Sequence, residues 1–312
     1  MKKQTGGPQN GSPPDEEDAT PAETRAALLK RSKRSAAPIR KTFVQRPQGE
    51  QVRHGVLRTF VNNGDHRGLK AYLFLMAINS NGDDPDVGWS TTLQLSIWAR
   101  AFDTTIEVPS SATTAVTKTL TRLVDRKLIK RDRAGRERQV KVTILREDGS
   151  GQPYTHPAKE TGPENLYLRL PYAYWTEGWH SKLSLAATAM LLVALAEKPV
   201  FSLATERVPE WYGWSADTAE RGFDELVEKG LLEKTQRRKK APLSPTGSTT
   251  YNEYQLIGAF QQKPKAAPAK AAPKRAKRTV KAGSKAVAAA APKAGSKPVK
   301  RRPRRTVPKT AP

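Results

Sequence analysis

Residues 261–312 contain seventeen Lys and Arg side chains and no Asp or Glu. This segment restricts where a folded core can lie, because a polycation interleaved with Ala and Pro buries too little apolar surface to fold alone. We therefore predict a disordered Lys/Arg/Ala/Pro-rich tail over 261–312. The tail supplies +17 of the net charge of +25, which leaves +8 for residues 1–260. Such a density of positive charge indicates a polyanionic partner, and double-stranded DNA is the first candidate.

The N-terminal end of the chain also lacks the composition of a core. It is rich in Gly, Pro, Ser and charged side chains, and we predict a disordered leader over 1–50. Its acidic cluster at 15–18 is interpreted as a solvated segment, with competition against DNA for the basic tail as the alternative. About 200 residues then remain between the two ends, which is enough for two modest hydrophobic cores.

The residue content excludes several kinds of chemistry. The chain has no Cys, so disulfides and thiolate nucleophiles are impossible, and its four His residues show no metal-ligand spacing. The sequence contains no GxxxxGKS/T, GxSxG or HExxH motif. The acidic run at 83–86 is interpreted as a solvated turn instead of a calcium site. We therefore predict a protein that is not an enzyme and that uses no cofactor and no metal ion.

Hydropathy argues against a membrane protein. The most apolar run, at 186–196, is too short to span a bilayer, which needs about 20 residues. Residues 1–20 contain no apolar stretch of the signal-peptide type. We expect no membrane partner and a cytoplasmic, nucleoid-associated location.

Two similar units are predicted between the leader and the tail. In the first unit, hydrophobic patterning and capping residues indicate a strand at 56–61, a buried helix at 69–78 and a second helix from Ser90 or Thr91 to about Phe102. They then indicate a third helix from Ser110 or Ser111 to Leu128, followed by strands at 128–131 and 139–145. In the second unit, the same reasoning indicates a strand at 166–170, helices at 185–197, 205–212 and 216–229, a strand at 231–235, a basic loop at 236–249 and a returning strand at 250–257.

The third helices of the two units align without gaps at a constant offset of 103 residues. The aligned apolar positions are Leu120, Leu123, Val124, Leu128 and Ile129 in the first unit and Phe223, Leu226, Val227, Leu231 and Leu232 in the second. These positions are predicted to face equivalent cores. A shared pattern of this kind indicates an internal duplication.

The segments 111–144 and 211–256 carry a resemblance to a known class of domain. The phrases TTAVTKTLTRLVDRKLIKR and SADTAERGFDELVEKGLLEK are typical of a recognition helix that runs into the first strand of a wing. On these phrases the units resemble winged-helix DNA-binding domains. Bacterial transcription regulators look like one unit, and plasmid replication initiators resemble the tandem arrangement. The tail, with AAPAKAAPKRAKR and two copies of KAGSK, is similar to linker-histone tails.

The resemblance implies a fold that is mainly α with small β-hairpins, in which two winged-helix domains are flanked by disordered N- and C-terminal segments. The implied boundaries are a first winged-helix domain at 51–147, a linker at 148–164 and a second winged-helix domain at 165–260. In such domains a helix enters the major groove of DNA, and a hairpin grips the backbone or the minor groove.

The first unit is expected to contact DNA directly. The start of its third helix offers hydroxyl groups and free backbone N–H groups, and its wing offers arginines. Arg122 is assigned to phosphate because it lies beyond the first helical turn. The predicted DNA-binding residues of this unit are Ser110, Ser111, Thr113, Thr114, Thr117, Lys118, Thr121, Arg122, Arg131, Arg133, Arg136 and Arg138.

The second unit differs in surface charge. Its third helix carries five acidic and two basic side chains, a sum of −3 that a phosphate-lined groove would repel. Its helices are expected to pair with a second copy of the chain, giving a homodimer, or to pack on the first unit. Trp211, Tyr212 and Trp214 are interpreted as core, with an interface patch as the alternative. DNA contact is predicted only through the basic loop residues Arg237, Arg238, Lys239 and Lys240.

Charge, patterning and resemblance together lead to one functional expectation. The chain is expected to bind double-stranded DNA in a sequence-specific manner, with transcription regulation as the leading role and the tail as a non-specific tether. Two alternatives stay open at this point. One is a replication initiator of a plasmid or mobile element, and the other is an architectural nucleoid protein.

Overall fold

A computed structural model of the protein describes residues 18–79, 88–135 and 139–262. Within these ranges the chain forms eleven α-helices and eight β-strands. The helices are α1 (Pro21–Arg31), α2 (Leu57–Asn62), α3 (His66–Ile78), α4 (Leu95–Ala101), α5 (Thr104–Glu107), α6 (Ala112–Asp125), α7 (Ala173–Thr176), α8 (Trp179–Lys182), α9 (Leu185–Ala196), α10 (Val208–Trp211) and α11 (Ala216–Glu228). The strands are β1 (Ala36–Arg40), β2 (Ser90–Gln94), β3 (Ile129–Ala134), β4 (Gln139–Ile144), β5 (Tyr167–Pro171), β6 (Val200–Ser202), β7 (Leu232–Lys240) and β8 (Ser248–Leu256).

The N-terminal segment contains a helix with a complete start signal. The Thr20 hydroxyl accepts from the backbone N–H of Glu23 at 3.2 Å, and the Glu23 carboxylate accepts from the backbone N–H of Thr20 at 2.8 Å. This reciprocal pair is a capping box, which satisfies two backbone donors at the helix start. Leu28 and Leu29 of α1 are buried against the rest of the molecule. The prediction of a disordered leader is therefore wrong for residues 18–50.

Strand β1 ties this N-terminal segment into the fold. It pairs antiparallel with β5, so that Ala36 lies opposite Pro171. The side chain of Arg40 at its end is fully buried and makes an ion pair with Glu147, with 2.7 Å between Nη1 and Oε2. Its Nε also donates to the Asn165 amide oxygen at 2.9 Å. A buried charge is tolerated only when it is paired and hydrogen-bonded, and Arg40 meets both conditions.

The strands form three small antiparallel sheets. The first contains β1 and β5, the second has the order β2-β4-β3, and the third has the order β6-β8-β7. In the second and third sheets, a strand from earlier in the chain pairs with the outer side of a hairpin. Each hairpin is thereby anchored on one side, and three strands with a packed face are enough for stable pairing.

The two three-stranded sheets belong to halves with the same order of elements. A long buried helix (α3 or α9) precedes the single strand, and an amphipathic helix (α6 or α11) precedes the hairpin. In the second half, α9 and α11 approach closely at Gly222. A Cβ at this position would lie 2.6 Å from the carbonyl oxygen of Ala186, so only glycine fits there.

The fold class predicted from the sequence is wrong. The described residues do not form two winged-helix domains after a disordered leader: they are 47% helical and 22% strand, with three sheets. The predicted tail lies, from residue 263 on, outside the described residues. One hydrophobic cluster extends from Leu28 to Phe260 and includes Ala37 and Ile39 of β1. The described residues belong to a single compact unit. The cause of the error is the pairing of β1 with β5, which joins segments too distant in sequence for local patterns to connect. The domain boundaries at 51–147, 148–164 and 165–260 stay a prediction.

Several individual elements also differ from the sequence-based expectation. The run at 56–61 is helix α2 instead of a strand, because Leu57 and Phe60 bury one face at a spacing of three. Ser90 and Thr91 begin strand β2 instead of capping a helix, and Thr91 lies opposite Val142 of β4. The basic segment predicted as a loop at 236–249 is largely hairpin, since β7 and β8 pair from Leu232–Leu256 to Lys240–Ser248.

The prediction for the third helices is largely confirmed. The buried members of the aligned set are Leu120, Leu123, Leu128 and Ile129 in the first half and Phe223, Leu226, Leu231 and Leu232 in the second. Val124 and Val227 are the exceptions, and each is 38% exposed. Tyr212 and Trp214 are buried, and Trp211 packs against the same cluster, so these aromatics belong to the core.

Candidate nucleic-acid interface

Helix α6 presents a polar face to solvent. Val116, Leu120 and Leu123 hold its other face against the core. Because the apolar side chains follow helical spacing, the intervening residues emerge together on the opposite side. The exposed residues are Thr113, Thr114, Thr117, Lys118 and Thr121, with Ser110 and Ser111 exposed just before the helix. The structure therefore brings these seven predicted residues onto one surface, which we call the α6 face.

The hydroxyl groups of this face are partly ordered by the helix itself. The Thr117 hydroxyl donates to the carbonyl oxygen of Thr113 at 3.0 Å, and the Thr121 hydroxyl donates to that of Thr117 at 2.9 Å. Each hydroxyl oxygen can also accept a hydrogen bond, and each side chain carries a methyl group beside that oxygen. The face thus offers acceptor oxygens and small apolar groups in fixed positions.

Two arginines of β3, Arg131 and Arg133, extend this surface and are counted as part of the α6 face. The Arg131 Nη1 donates to the carbonyl oxygen of Thr117 and to the hydroxyl of Thr121, both at 3.2 Å. In the β3–β4 ladder, Arg131 lies opposite Val142 and Arg133 lies opposite Val140. Cross-strand partners share a face of the sheet, so both arginines leave on the side that packs on α6. The predicted residues Arg136 and Arg138 lie outside the described residues.

Arg122 has a different environment from the rest of the set. Its Nε and Nη2 donate to the two carboxylate oxygens of Asp65 at 3.0 and 2.9 Å, and Arg126 Nη1 donates to Asp65 at 2.6 Å. Asp65 is also the N-cap of α3, where it accepts from the backbone N–H of Gly68 at 3.0 Å. Burial alone would raise the pKa of Asp65, but the hydrogen bonds from the two arginines outweigh burial and hold that pKa below its usual value. Arg122 therefore links α6 to α3.

A second basic surface is the hairpin of β7 and β8. Arg237, Arg238, Lys239 and Lys240 are all exposed on β7. The Arg237 Nε forms an ion pair with Glu253 at 2.9 Å, and the Arg238 Nε donates to the Ser248 hydroxyl at 2.8 Å. Residues 234–252 contain no Asp or Glu. The outer part of the hairpin is therefore a narrow arm of positive charge.

Helix α11 presents the opposite charge. Its exposed residues include Asp217, Glu220 and Asp224. Asp217 pairs with Arg221 at 3.0 Å, Glu220 accepts from the Thr205 hydroxyl at 2.8 Å, and Asp224 lies 3.5 Å from the Lys234 Nζ. These contacts are local and exposed, so the carboxylates retain a negative surface field.

Sequence reasoning missed three features of these surfaces. It did not place Asp65 against Arg122, it did not place Arg131 on the α6 face, and it ended the hairpin strands too early. Only the last had a local signal, because Thr249, Thr250 and Tyr251 have high strand propensity. The other two depend on long-range packing.

Two kinds of feature were not found in the described part of the chain. It contains no group of three His, Asp or Glu side chains arranged to hold a metal ion. None of its helices combines the length and the apolar character that crossing a membrane requires. Comparisons with protein-family models, curated proteins and solved structures gave no match. The chemistry of the α6 face and the basic hairpin is therefore the basis for assigning a function.

Proposed function

We propose that the protein binds double-stranded DNA in a sequence-specific manner and acts as a transcription regulator. The single observation that supports this proposal is the α6 face, where Lys118, Arg131 and Arg133 flank a row of threonines with no carboxylate among them. The row from Thr113 to Thr121 spans nine residues, or about 12 Å along the helix axis. The major groove of B-DNA is about 12 Å wide and admits a helix.

Each part of the α6 face has a distinct task in this proposal. Thr114, Thr117 and Thr121 contact base edges, because hydroxyl oxygens accept hydrogen bonds and threonine methyls pack on thymine methyls. Lys118 and Arg133 contact phosphates at the groove edges, which fixes the orientation of the helix. Arg122 is left out of the contact set because Asp65 already engages its guanidinium.

The hairpin and the tail add contacts that do not depend on sequence. The cations of β7 and the seventeen cations of 261–312 neutralise phosphates and release condensed counterions. The acidic surface of α11 stays away from DNA for the same electrostatic reason. A second copy of the chain as its partner stays a prediction.

A mobility-shift titration with matched variants tests the proposal. The triple variant Thr114→Ala, Thr117→Ala, Lys118→Ala removes three side chains of the α6 face, and we expect a loss of specific affinity of about 30-fold or more. The control carries alanine at the aligned positions of α11, as Asp217→Ala, Glu220→Ala, Arg221→Ala, and is expected to bind like the wild type. Equal losses in the two variants would contradict the proposed role of the α6 face.

Replication initiation is the second candidate role, and the repetition of one element order in both halves favours it. Two similar halves suit an initiator that occupies repeated sites at an origin. Genome-wide occupancy separates the roles. A small set of sharp promoter peaks supports regulation, one cluster of repeats with local strand opening supports initiation, and flat occupancy supports an architectural nucleoid protein.

A further inference from the structure

The basic hairpin projects beyond the sheet that anchors it. Strand β6 pairs with β8 only at residues 253–255, opposite Val200–Ser202. Beyond Glu253, the segment Gln236–Lys240 pairs with Ser248–Asn252 and with no third strand of the described residues. Five residues at about 3.3 Å each extend the two-stranded arm about 16 Å past the sheet. This length exceeds the depth of a DNA groove, which is about 8 Å.

Several hydrogen bonds close the turn at the tip of the arm. The backbone N–H of Ser244 donates to the carbonyl oxygen of Ala241 at 2.9 Å, and the N–H of Ala241 donates to that of Gly247 at 3.0 Å. The hydroxyls of Ser244 and Thr246 donate to the carbonyl oxygen of Ser248 at 3.2 and 2.9 Å. Pro242 occupies the second position of the turn that Ser244 closes, where its fixed φ suits the turn.

This ordered turn presents an apolar side chain at its apex. Leu243 is fully exposed, at 101%, whereas Ile106, the next most exposed large apolar residue of the described ranges, is 67% exposed. A lone exposed leucine is ordinary on a protein surface. Here it stands at the end of a narrow arm that carries five cations and no carboxylate between residues 234 and 252. Because the arm is narrow and positively charged, a polyanion that binds the arm also meets the leucine at its tip.

We propose that Pro242 and Leu243 form a wedge that enters the minor groove of DNA and unstacks one base step, so that the protein bends the duplex it binds. Apolar side chains of this size unstack base steps from the minor groove and kink the duplex by about 20–90°. Arg238 and Lys240 then lie along the phosphates that flank the kink. This inference rests on the proposed function, because the wedge acts only on DNA that the protein holds.

Two fluorescence readouts test the wedge on a defined probe. The probe is a duplex of about 30 base pairs with a central TA step, which kinks more easily than other steps. One version carries a donor and an acceptor dye at its two ends to report bending, and another carries 2-aminopurine beside the TA step to report unstacking. The full-length wild-type protein is expected to raise energy transfer and 2-aminopurine emission together.

The decisive variant is Leu243→Ala, and Leu166→Ala is its matched control. Leu166 is 56% exposed and lies outside the hairpin, so both substitutions remove the same atoms from the surface. We expect Leu243→Ala to lose both signals while its affinity falls by about tenfold or less. We expect Leu166→Ala to match the wild type, and Leu243→Met to restore both signals because methionine is an equally apolar wedge.

The possible failures are distinguishable. If the wild type binds the probe and leaves it straight and stacked, the wedge is wrong and the proposed DNA binding stands. If Leu243→Ala bends the probe as the wild type does, the tip contacts something other than a base step and the wedge is again wrong. If the wild type does not bind the duplex at low salt, the proposed function itself fails.

Discussion

Helices α6 and α11 are built on one plan and differ in the face they show to solvent. At the offset of 103 residues, the buried residues Leu120 and Leu123 of α6 correspond to Phe223 and Leu226 of α11. The aligned apolar positions that are not buried also agree, because Val124 and Val227 are both 38% exposed. The shared plan therefore extends from the core to the margin of each helix.

The alignment of α6 with α11 also includes one position at which each helix uses a charged side chain to contact the N-cap of another helix. Arg122 of α6 donates to Asp65, which is the N-cap of α3. At the aligned position, the Glu225 carboxylate of α11 accepts from the backbone N–H of Ser184 at 2.9 Å and from the Ser184 hydroxyl. Ser184 is the N-cap of α9. The two side chains have opposite charge and the same structural role. Packing thus requires a charged side chain at this position to link the two helices, and it does not dictate whether that charge is positive or negative.

The solvent-facing residues of α6 and α11 differ in charge, and packing does not require that difference. Three threonines of α6 are replaced by carboxylates at the aligned positions of α11, as Thr114/Asp217, Thr117/Glu220 and Thr121/Asp224. Nothing in the core requires this difference, because all six side chains point away from it. A change of charge on the solvent face that packing does not require agrees with the proposal that α6 contacts DNA and α11 does not.

Giving α6 the surface of α11 tests this conclusion with the largest expected effect. The variant Thr114→Asp, Thr117→Glu, Thr121→Asp places three negative charges on the proposed DNA-contacting face. We expect duplex affinity to fall by roughly a thousandfold at low salt, because each carboxylate opposes nearby phosphates. Fluorescence anisotropy measures the affinity, and circular dichroism checks that the fold is intact.

The reciprocal variant is the control for that experiment. Asp217→Thr, Glu220→Thr, Asp224→Thr gives α11 the surface of α6 and removes three charges that repel DNA. We expect its affinity to equal or exceed that of the wild type. A loss of affinity there as large as in the α6 variant would show that both helices contact DNA, and the contrast between them would fail.

The core positions provide a test in which the two helices should behave alike. Leu120→Ala and Phe223→Ala each truncate a fully buried side chain. We expect each to lower the free energy of unfolding by about 3–5 kcal/mol through lost burial and an unfilled cavity. Urea denaturation measures both values. A difference of more than about 2 kcal/mol between them would show that the aligned positions have unequal roles in the core.

The same contrast explains what the sequence could predict. Spacing of apolar residues located α6 and α11 and most of their buried positions, because helical periodicity is a local property. Arg122 was assigned to phosphate from its place beyond the first helical turn, and its contact with Asp65 was missed because that partner lies 57 residues away. The pairing of β1 with β5 escaped prediction for a similar reason, since a short strand containing Pro38 has a weak local pattern. The α6 face was predicted, whereas Leu243 at the hairpin tip needed the register of β7 and β8.

The link at the aligned position 122/225 supports a last, smaller prediction. Asp65→Asn keeps an oxygen that caps α3 but removes the charge that Arg122 and Arg126 face. We expect a loss of about 2 kcal/mol at neutral pH, since hydrogen bonds to charged groups contribute about 1.5–3 kcal/mol. Glu225→Gln is its counterpart in α11 and should cost less, because the partners of Glu225 are the neutral N–H and hydroxyl of Ser184.

Acid titration separates the charge of Asp65 from its packing. The pKa of Asp65 is lower in the folded protein than in the unfolded chain, so its ionised form stabilises the fold above the unfolded pKa of about 3.9. This stabilisation is lost as the pH falls through the lower folded pKa. Urea denaturation at a series of pH values should therefore show the wild type and Asp65→Asn converging below about pH 4. A gap that stays constant with pH would mean that Asp65 acts through shape alone, and the ion pair would then have no part in fixing α6 on α3.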